Sequence, residues 1–267
     1  HSSLAPWCLR AGILAYGKGE YNIRVLEGTV NEAPEAVAGR IIEQAPDVLA
    51  LCCYIWNIRA VRALLPALRS ALPGCVIVLG GPEVSFCAGE TLSACPEADF
   101  LIAGEGELPL ARLLDALGGM GEMSGVPGLC RRTEEGLLIS PAFTHPEMPP
   151  TPCCPEYFAR LSGRIAYIEA SRGCPFSCAF CLSGREGGRP RFVPLARVFE
   201  EIGALARSGA RTVKFVDRTF NVSRSRADAI LTYITDHAAG FPPGLTFHFE
   251  IAGDILAAST LDIIENA

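Results

Sequence analysis

Apolar residues along the first hundred positions switch between helical and strand spacing. Leu4, Trp7, Cys8 and Ala11 share one face of a helix over residues 2–15. Residues 21–30 (YNIRVLEGTV) predict a strand, Pro34 opens a helix over 34–45, and the apolar run 47–56 (DVLALCCYIW) predicts a buried strand. Ile58, Val61, Leu64, Leu65 and Leu68 fall on one face of a helix over 58–72, which Pro66 is expected to kink. Two more buried strands follow: 75–79 (CVIVL), ending at Gly80-Gly81, and 99–103 (DFLIA), ending at GEGE. Strands and helices alternating in this way imply right-handed crossovers and a parallel sheet covered on both faces, the doubly wound α/β class. Ligands of such sheets bind at the carboxyl ends of the strands. Those ends carry Tyr54, Gly80, Gly81 and Glu105, and glycine there lets backbone approach a large flat ligand closely.

Over 124–163 the alternation stops. Pro127, Pro141, Pro146, Pro149, Pro150, Pro152 and Pro155 exclude long helices and central strands, so the stretch predicts a linker. Within it, 128–139 (GLCRRTEEGLLI) predicts a small spacer hairpin turning at Glu135-Gly136. Alternation then resumes with a buried strand over 164–170 and a helix opened by Pro194. That helix aligns Leu195, Val198, Phe199, Ile202 and Leu205 on one stripe and stops at Gly209. A strand over 212–216 ends in DRTFN, a helix spans 226–237, a strand spans 245–251, and a last helix begins near Thr260. The organisation expected is therefore 1–123, 124–163 and 164–267, two α/β domains and a linker.

Composition narrows the classes. In 267 residues, 49% hydrophobic and 19% charged, there is enough apolar surface for a true core. No apolar run reaches the roughly 18–20 residues that span a bilayer, and no basic segment followed by an apolar core marks a signal peptide. A cytoplasmic protein without a membrane partner is expected. The net charge of -6 offers no general attraction to phosphate backbones, so nucleic acid is not an expected partner. The basic stretch 185–191 (REGGRPR) reads either as a solvated loop or as a hold for an anionic substrate. The 12 cysteines form no disulfide framework and fit a reducing compartment, with Cys52-Cys53 and Cys153-Cys154 as free thiols.

Three of those cysteines carry the candidate chemistry. Cys174, Cys178 and Cys181 form CxxxCxxC directly after the strand over 164–170. Thiolates are the usual ligands of iron-sulfur cubanes, which take four of them. A group of three leaves one iron open to a substrate or cofactor. Electron-carrying ferredoxins use other, closed runs, and structural zinc sites use paired CxxC units; a zinc knuckle is the competing reading. The motif resembles that of the radical S-adenosylmethionine superfamily, with Phe180 at its aromatic position. The resemblance implies that Cys174, Cys178 and Cys181 hold a 4Fe-4S cluster whose fourth iron chelates S-adenosylmethionine, on a loop of a partial (β/α) barrel. Residues 164–267 look like the first half of that barrel.

The region from residue 1 to about 110 resembles the cobalamin-binding domain that precedes such barrels, with Gly80-Gly81 matching its glycine pair. That family's DxHxxG loop follows a first strand, which this chain lacks. Its histidine falls near His1, here followed by Ser2-Ser3-Leu4, so His1 reads as a cobalt ligand or as an ordinary loop residue. Tyr54, Gly80, Gly81 and Glu105 become the implied cobalamin contacts. By the same resemblance, a reduced cluster cleaves S-adenosylmethionine and the radical formed abstracts a substrate hydrogen, with methyl transfer from cobalamin to an unactivated carbon as one outcome. An electron donor such as flavodoxin or ferredoxin is implied, and the substrate, a small molecule or peptide, is not encoded in any motif. The alternatives are the same radical chemistry without methyl transfer or cobalamin, and a non-catalytic binding module with a structural Cys-rich metal site.

Asp217, at the end of the second barrel strand, suits the methionine ammonium of S-adenosylmethionine; a helix cap or surface role is its other reading. Glu250 should point into the barrel mouth if Phe249 and Ile251 point outward, or else form a structural salt bridge. His248, on the same face as Glu250, and His237, at a helix end, are candidate proton carriers. With half a barrel and no first strand, the chain is expected to be a fragment, inactive alone.

Overall fold

The computed structural model describes residues 1–182 and 189–265. It divides into two compact units, Ala5–Pro150 and His1–Leu4 with Thr151–Ala267. Among the described residues no helix is long and apolar enough to cross a membrane.

The first unit runs α1 (Ala5–Tyr16), α2 (Pro34–Ile42), β1 (Val48–Cys52), α3 (Ile58–Ala71), β2 (Val76–Gly80), α4 (Pro82–Ser85), α5 (Ala88–Ala94), β3 (Phe100–Ile102), α6 (Glu107–Leu117), β4 (Leu129–Thr133) and β5 (Gly136–Leu138). The sheet order is β1-β2-β3-β4-β5. Its first three strands are parallel, Ala50 lying opposite Val78 and Val78 opposite Phe100. Strands apolar on both faces are needed because helices cover both. Ile77, Leu79 and Leu101 pack with Leu65 and Leu68 of α3 on one side, while Val78 and Ile102 pack with Ile13 of α1 and Leu110 and Leu113 of α6 on the other. α1 crosses α6 closely at Gly12, where a methyl group would come within 2.6 Å of Glu107 Cβ.

Three expectations change here. Residues 21–30 form no strand, because no neighbouring ladder receives their backbone. Side chains tie the stretch down instead: Tyr21 donates its hydroxyl to Asp115 Oδ1 at 2.7 Å, and Arg24 donates to Gln44 Oε1 at 2.5 Å. The apolar run 47–56 is a strand only to Cys52, beyond which the chain turns. The hairpin of the expected linker is no spacer, since β4 pairs antiparallel with β3, Leu101 opposite Cys130, and extends the sheet. Leu129 and Cys130 are buried, so the hairpin is held as core. Arg132 seals it by donating to the carbonyls of Leu92, Cys95 and Ala98, the carbonyls left open at the end of α5 and just past it. Pro-rich residues 141–150 also belong to this unit, Phe143 bridging to Gly104 at the end of β3.

The second unit contains α7 (Pro155–Phe158), β6 (Ile165–Ile168), β7 (Ser171–Arg172), β8 (Arg191–Phe192), α8 (Leu195–Arg207), β9 (Thr212–Phe215), α9 (Arg224–His237), β10 (Thr246–His248) and α10 (Ala258–Glu265). Its main sheet is parallel in the order β10-β9-β6, three βα units as the pattern predicted. Alternation sorts the strands: Ala166, Ile168, Val213 and Phe215 are buried on the helix-covered face, whereas Tyr167, Lys214 and His248 align in register on the other. β10 is shorter than the expected 245–251 because its partner β9 ends one residue beyond Lys214, the partner of His248.

Candidate cofactor sites

In the second unit the carboxyl ends of the three strands are tied together by buried polar side chains. Asp217, only 2% exposed, accepts from Ala170 N at 2.9 Å through Oδ2 and from the Ser171 hydroxyl at 2.5 Å through Oδ1. Asn221 clamps the third strand end, donating to Ala252 O at 2.8 Å and accepting from Ala252 N at 2.9 Å, while Phe220 N donates to Glu250 O at 2.8 Å. The segments after β6, β9 and β10 therefore meet, as the strand-end reading expected.

The cysteine loop leaves this platform through β7 and returns through β8, Ser171 pairing with Phe192 and Arg172 with Arg191. Arg226 of α9 holds the returning stem, donating to Val193 O with its guanidinium 4.8 Å over the Phe192 ring. Glu169 and Arg172 form a two-pronged ion pair at 2.8 and 2.7 Å beside the departing stem. Cys174 and Cys181 are half-buried and Cys178 is exposed, and none of the three is in a disulfide. Cys181 N donates to Cys178 O at 3.0 Å, a turn that draws the last two cysteines together. Phe180 stands 93% exposed at its tip.

The donor set fits an iron-sulfur cluster: three cysteine thiols on one loop, beside a parallel sheet. Convergence of the sulfurs, which a common cluster requires, is not met in this structure, because among the described residues no three metal-ligating side chains are close enough to hold an ion. The physical reason is that thiolates have no mutual attraction; the metal they bind supplies the energy that gathers them. Residues 185–188 of the basic stretch lie outside the described residues.

Other sequence-derived candidates are placed differently from expectation. Burial pushes the Asp217 carboxyl up to about 6, against the hydrogen bonds from Ser171 and Ala170 that lower it. Buried and turned onto the loop stem, it has no open face for an ammonium group and instead pins the start of the cysteine loop. Glu250 lies opposite Phe249, which stacks on Phe215 with centroids 4.8 Å apart, so its side chain does point to the uncovered face. There it pairs with Lys214 at 3.0 Å, the salt-bridge reading, while 54% exposed. His248 is exposed on the same face. His237 caps the end of α9 through Tyr233 O at 2.8 Å. A helix that returns between parallel strands ends beside their amino ends, so His237 is no proton carrier for this site. His1 belongs to this unit: its Nδ1 meets the Tyr167 hydroxyl at 2.6 Å, and Ser2 N donates to Ile165 O at 3.0 Å along the edge of β6. One ring nitrogen of His1 is thus bound to tyrosine, because the open edge of β6 captures the backbone beside it.

In the first unit the strand ends form a glycine-lined rim. Gly81 has φ +113°, and a methyl group there would stand 2.5 Å from Cys53 O. At Gly80 the nearest atom is Ile102 O at 3.7 Å, so that position is open. Tyr54 stacks on Trp56 at 4.5 Å, with Trp56 68% exposed. Asn57 fixes this turn, accepting from Tyr54 N at 2.7 Å and donating to Cys52 O at 2.9 Å. Glu105 accepts from His145 N at 3.2 Å, and His145 stacks on Tyr16 at 5.7 Å. Sequence reasoning missed His145, which lay in the expected linker, and Arg226, which no spacing linked to the cysteines. Thr219 was within reach, two residues after Asp217.

Comparison with known proteins matches each unit to a family. The B12 binding domain family model matches residues 11–114 and the Radical SAM superfamily model matches residues 168–267. An uncharacterized methyltransferase of Pyrococcus horikoshii is 28% identical over 219 residues, covering 78% of this chain and 48% of that protein. The 2-(S-pantetheinyl)-carbapenam-3-carboxylate methyltransferase of Streptantibioticus cattleyicolor is 30% identical over 236 residues, covering 79% of this chain and 34% of that protein. The chain thus spans about half the length, or less, of these curated relatives. In fold it is similar to the radical S-adenosylmethionine methyltransferase TsrM from Kitasatospora setae, solved with cobalamin and a [4Fe-4S] cluster, with a TM-score of 0.77 at 19% identity over 100% of this chain and 55% of that one. The first unit thus carries a B12 binding domain and the second a Radical SAM superfamily domain, joined in one chain.

Proposed function

We propose that this chain works in a cobalamin-dependent radical S-adenosylmethionine enzyme that transfers a methyl group to an unactivated carbon. The observation that carries the reading is the CxxxCxxC loop at the carboxyl end of a parallel strand, in the same chain as a sheet whose rim is lined by Gly80 and Gly81. Cys174, Cys178 and Cys181 would hold the 4Fe-4S cluster. When bound, that group supplies the electron that cleaves S-adenosylmethionine to methionine and a 5'-deoxyadenosyl radical. Phe180, exposed at the loop tip, offers a flat apolar surface to the adenine. Asp217, Ser171 and Arg226 hold the loop stems, so the thiols are presented over the strand ends rather than on a free tether. Glu250 and His248 are exposed polar groups on the uncovered face, candidates to bind or deprotonate a substrate. Cobalamin would lie on the rim of the first unit, where Gly80 admits close approach and Tyr54 and Glu105 border it.

Anaerobic reconstitution with iron and sulfide tests this. The wild-type chain should take up about four irons per chain with brown absorbance, and Cys174→Ser, Cys178→Ser or Cys181→Ser should each lose most of it. Added cobalamin should co-elute with the chain and give its own spectrum. Iron uptake without cobalamin would leave the radical chemistry and remove the methyl transfer. A chain that binds zinc in place of iron, with no brown colour, would refute the enzyme reading.

A further inference from the structure

Thr219 follows Asp217 by two residues in the turn after β9, and its hydroxyl lies 3.7 Å from Cys174 Sγ. The residue is 6% exposed. A buried hydroxyl ordinarily finds a hydrogen-bond partner, and here the sulfur is the partner its side chain meets. Nor can the hydroxyl readily move elsewhere. Asp217 on one side is bound to Ala170 and Ser171, Phe220 N on the other donates to Glu250 O, and Val222 N donates to Thr219 O at 3.2 Å. Each of the three cysteines has a different setting: Cys178 is exposed and Cys181 sits in the turn, while Cys174 adjoins the rigid strand-end platform.

With a thiol at Cys174, either group can donate. A sulfur that ligates iron is a thiolate and carries no proton, so the hydroxyl must be the donor. An O–H···S bond draws electron density from the ligand and favours the more negative, reduced cluster, and hydrogen bonds to the sulfurs are among the factors that set cluster potentials. Resting on the cluster reading above, we infer that Thr219 is a positioning residue that donates to the Cys174 sulfur and raises the reduction potential of the cluster.

The test uses the full chain, reconstituted anaerobically with iron and sulfide, as wild type and as Thr219→Val, Thr219→Ala and Thr219→Ser. Iron content is measured first, then the midpoint potential by a reductive titration followed by electron paramagnetic resonance. Valine matches threonine in shape and removes only the hydroxyl; alanine removes it without any risk of crowding; serine keeps it. The expected result is a potential shifted to more negative values in both Thr219→Val and Thr219→Ala, and restored toward wild type in Thr219→Ser. Potentials equal to wild type in the valine or alanine variant would overturn the inference while leaving the cluster reading intact. A serine variant shifted as far as valine would overturn it too, since packing and not the hydroxyl would then be responsible. A wild-type chain that takes up no iron overturns the cluster reading, and this inference with it.

Discussion

The Gly80-Gly81 pair separates two reasons for glycine that sequence alone treats as one. Gly81 has φ +113° and ψ 171°, a region essentially restricted to glycine and costing other residues about 1–3 kcal/mol. In Gly81→Ala the new methyl would also stand 2.5 Å from Cys53 O and 3.0 Å from Cys53 N. These are backbone atoms of a fully buried residue whose N–H is bound to Gly80 O at 2.7 Å, so they cannot swing aside. Overpacking of this kind adds about 1–3 kcal/mol. Together the two effects amount to roughly 2–6 kcal/mol, a large part of the ~5–15 kcal/mol that stabilises a typical domain. Gly80→Ala meets only ordinary contact, 3.7 Å from Ile102 O, and should change stability by no more than about 0.5 kcal/mol. Both tryptophans, Trp7 and Trp56, lie in the first unit, so their fluorescence reports its unfolding alone. In urea the midpoint of Gly81→Ala should fall by on the order of 1 M or more, and that of Gly80→Ala should stay at the wild-type value. Under the proposed function Gly80→Ala should nevertheless weaken cobalamin binding, because its methyl occupies the open rim. Equal midpoints for Gly81→Ala and wild type would refute the strain argument.

Asp217 gives a pH-dependent test. Its carboxyl is held up at about 6, against an ordinary 3.8, mainly by burial. The stability contributed by its protonated form is full below the unfolded value and is lost as pH rises through about 6. The loss amounts to about 3 kcal/mol, so wild-type urea midpoints of the second unit, read by circular dichroism because it holds no tryptophan, should decline relative to Asp217→Asn between about pH 4 and pH 6.5; parallel profiles would exclude it. Glu250→Gln removes one exposed ion pair with Lys214 and should cost less than about 1 kcal/mol, read by thermal melting. A larger loss would show that Glu250 is a structural residue and no candidate for chemistry. Leu68→Ala, at a fully buried site beneath the first sheet, should cost about 2–5 kcal/mol in the tryptophan-fluorescence urea assay; a variant as stable as wild type would mean that α3 is not packed on that sheet.

Local sequence determined a good deal of this protein. Runs such as CVIVL and DFLIA, apolar on both faces, require a sheet covered on both sides, and the apolar stripe of α3 supplies the cover on one of them. The three-cysteine spacing defined the donor chemistry because ligand identity and separation are written in the chain. What tertiary structure decided was everything that depends on a distant partner. Residues 21–30 have strand-like composition but no neighbouring ladder, and a strand exists only by pairing. The hairpin of β4 and β5 looked like a spacer until the open edge of β3 took it into the sheet. Asp217 has the chemistry to hold an ammonium group, yet burial beside Ala170 and Ser171 turns it to holding a loop. His1 meets Tyr167, far along the chain. Periodicity and motif spacing are properties of neighbours in sequence and survive without a fold. Which backbone edge is open, which carboxylate is buried and which hydroxyl lies beside a cysteine are set by contacts between residues far apart in the chain.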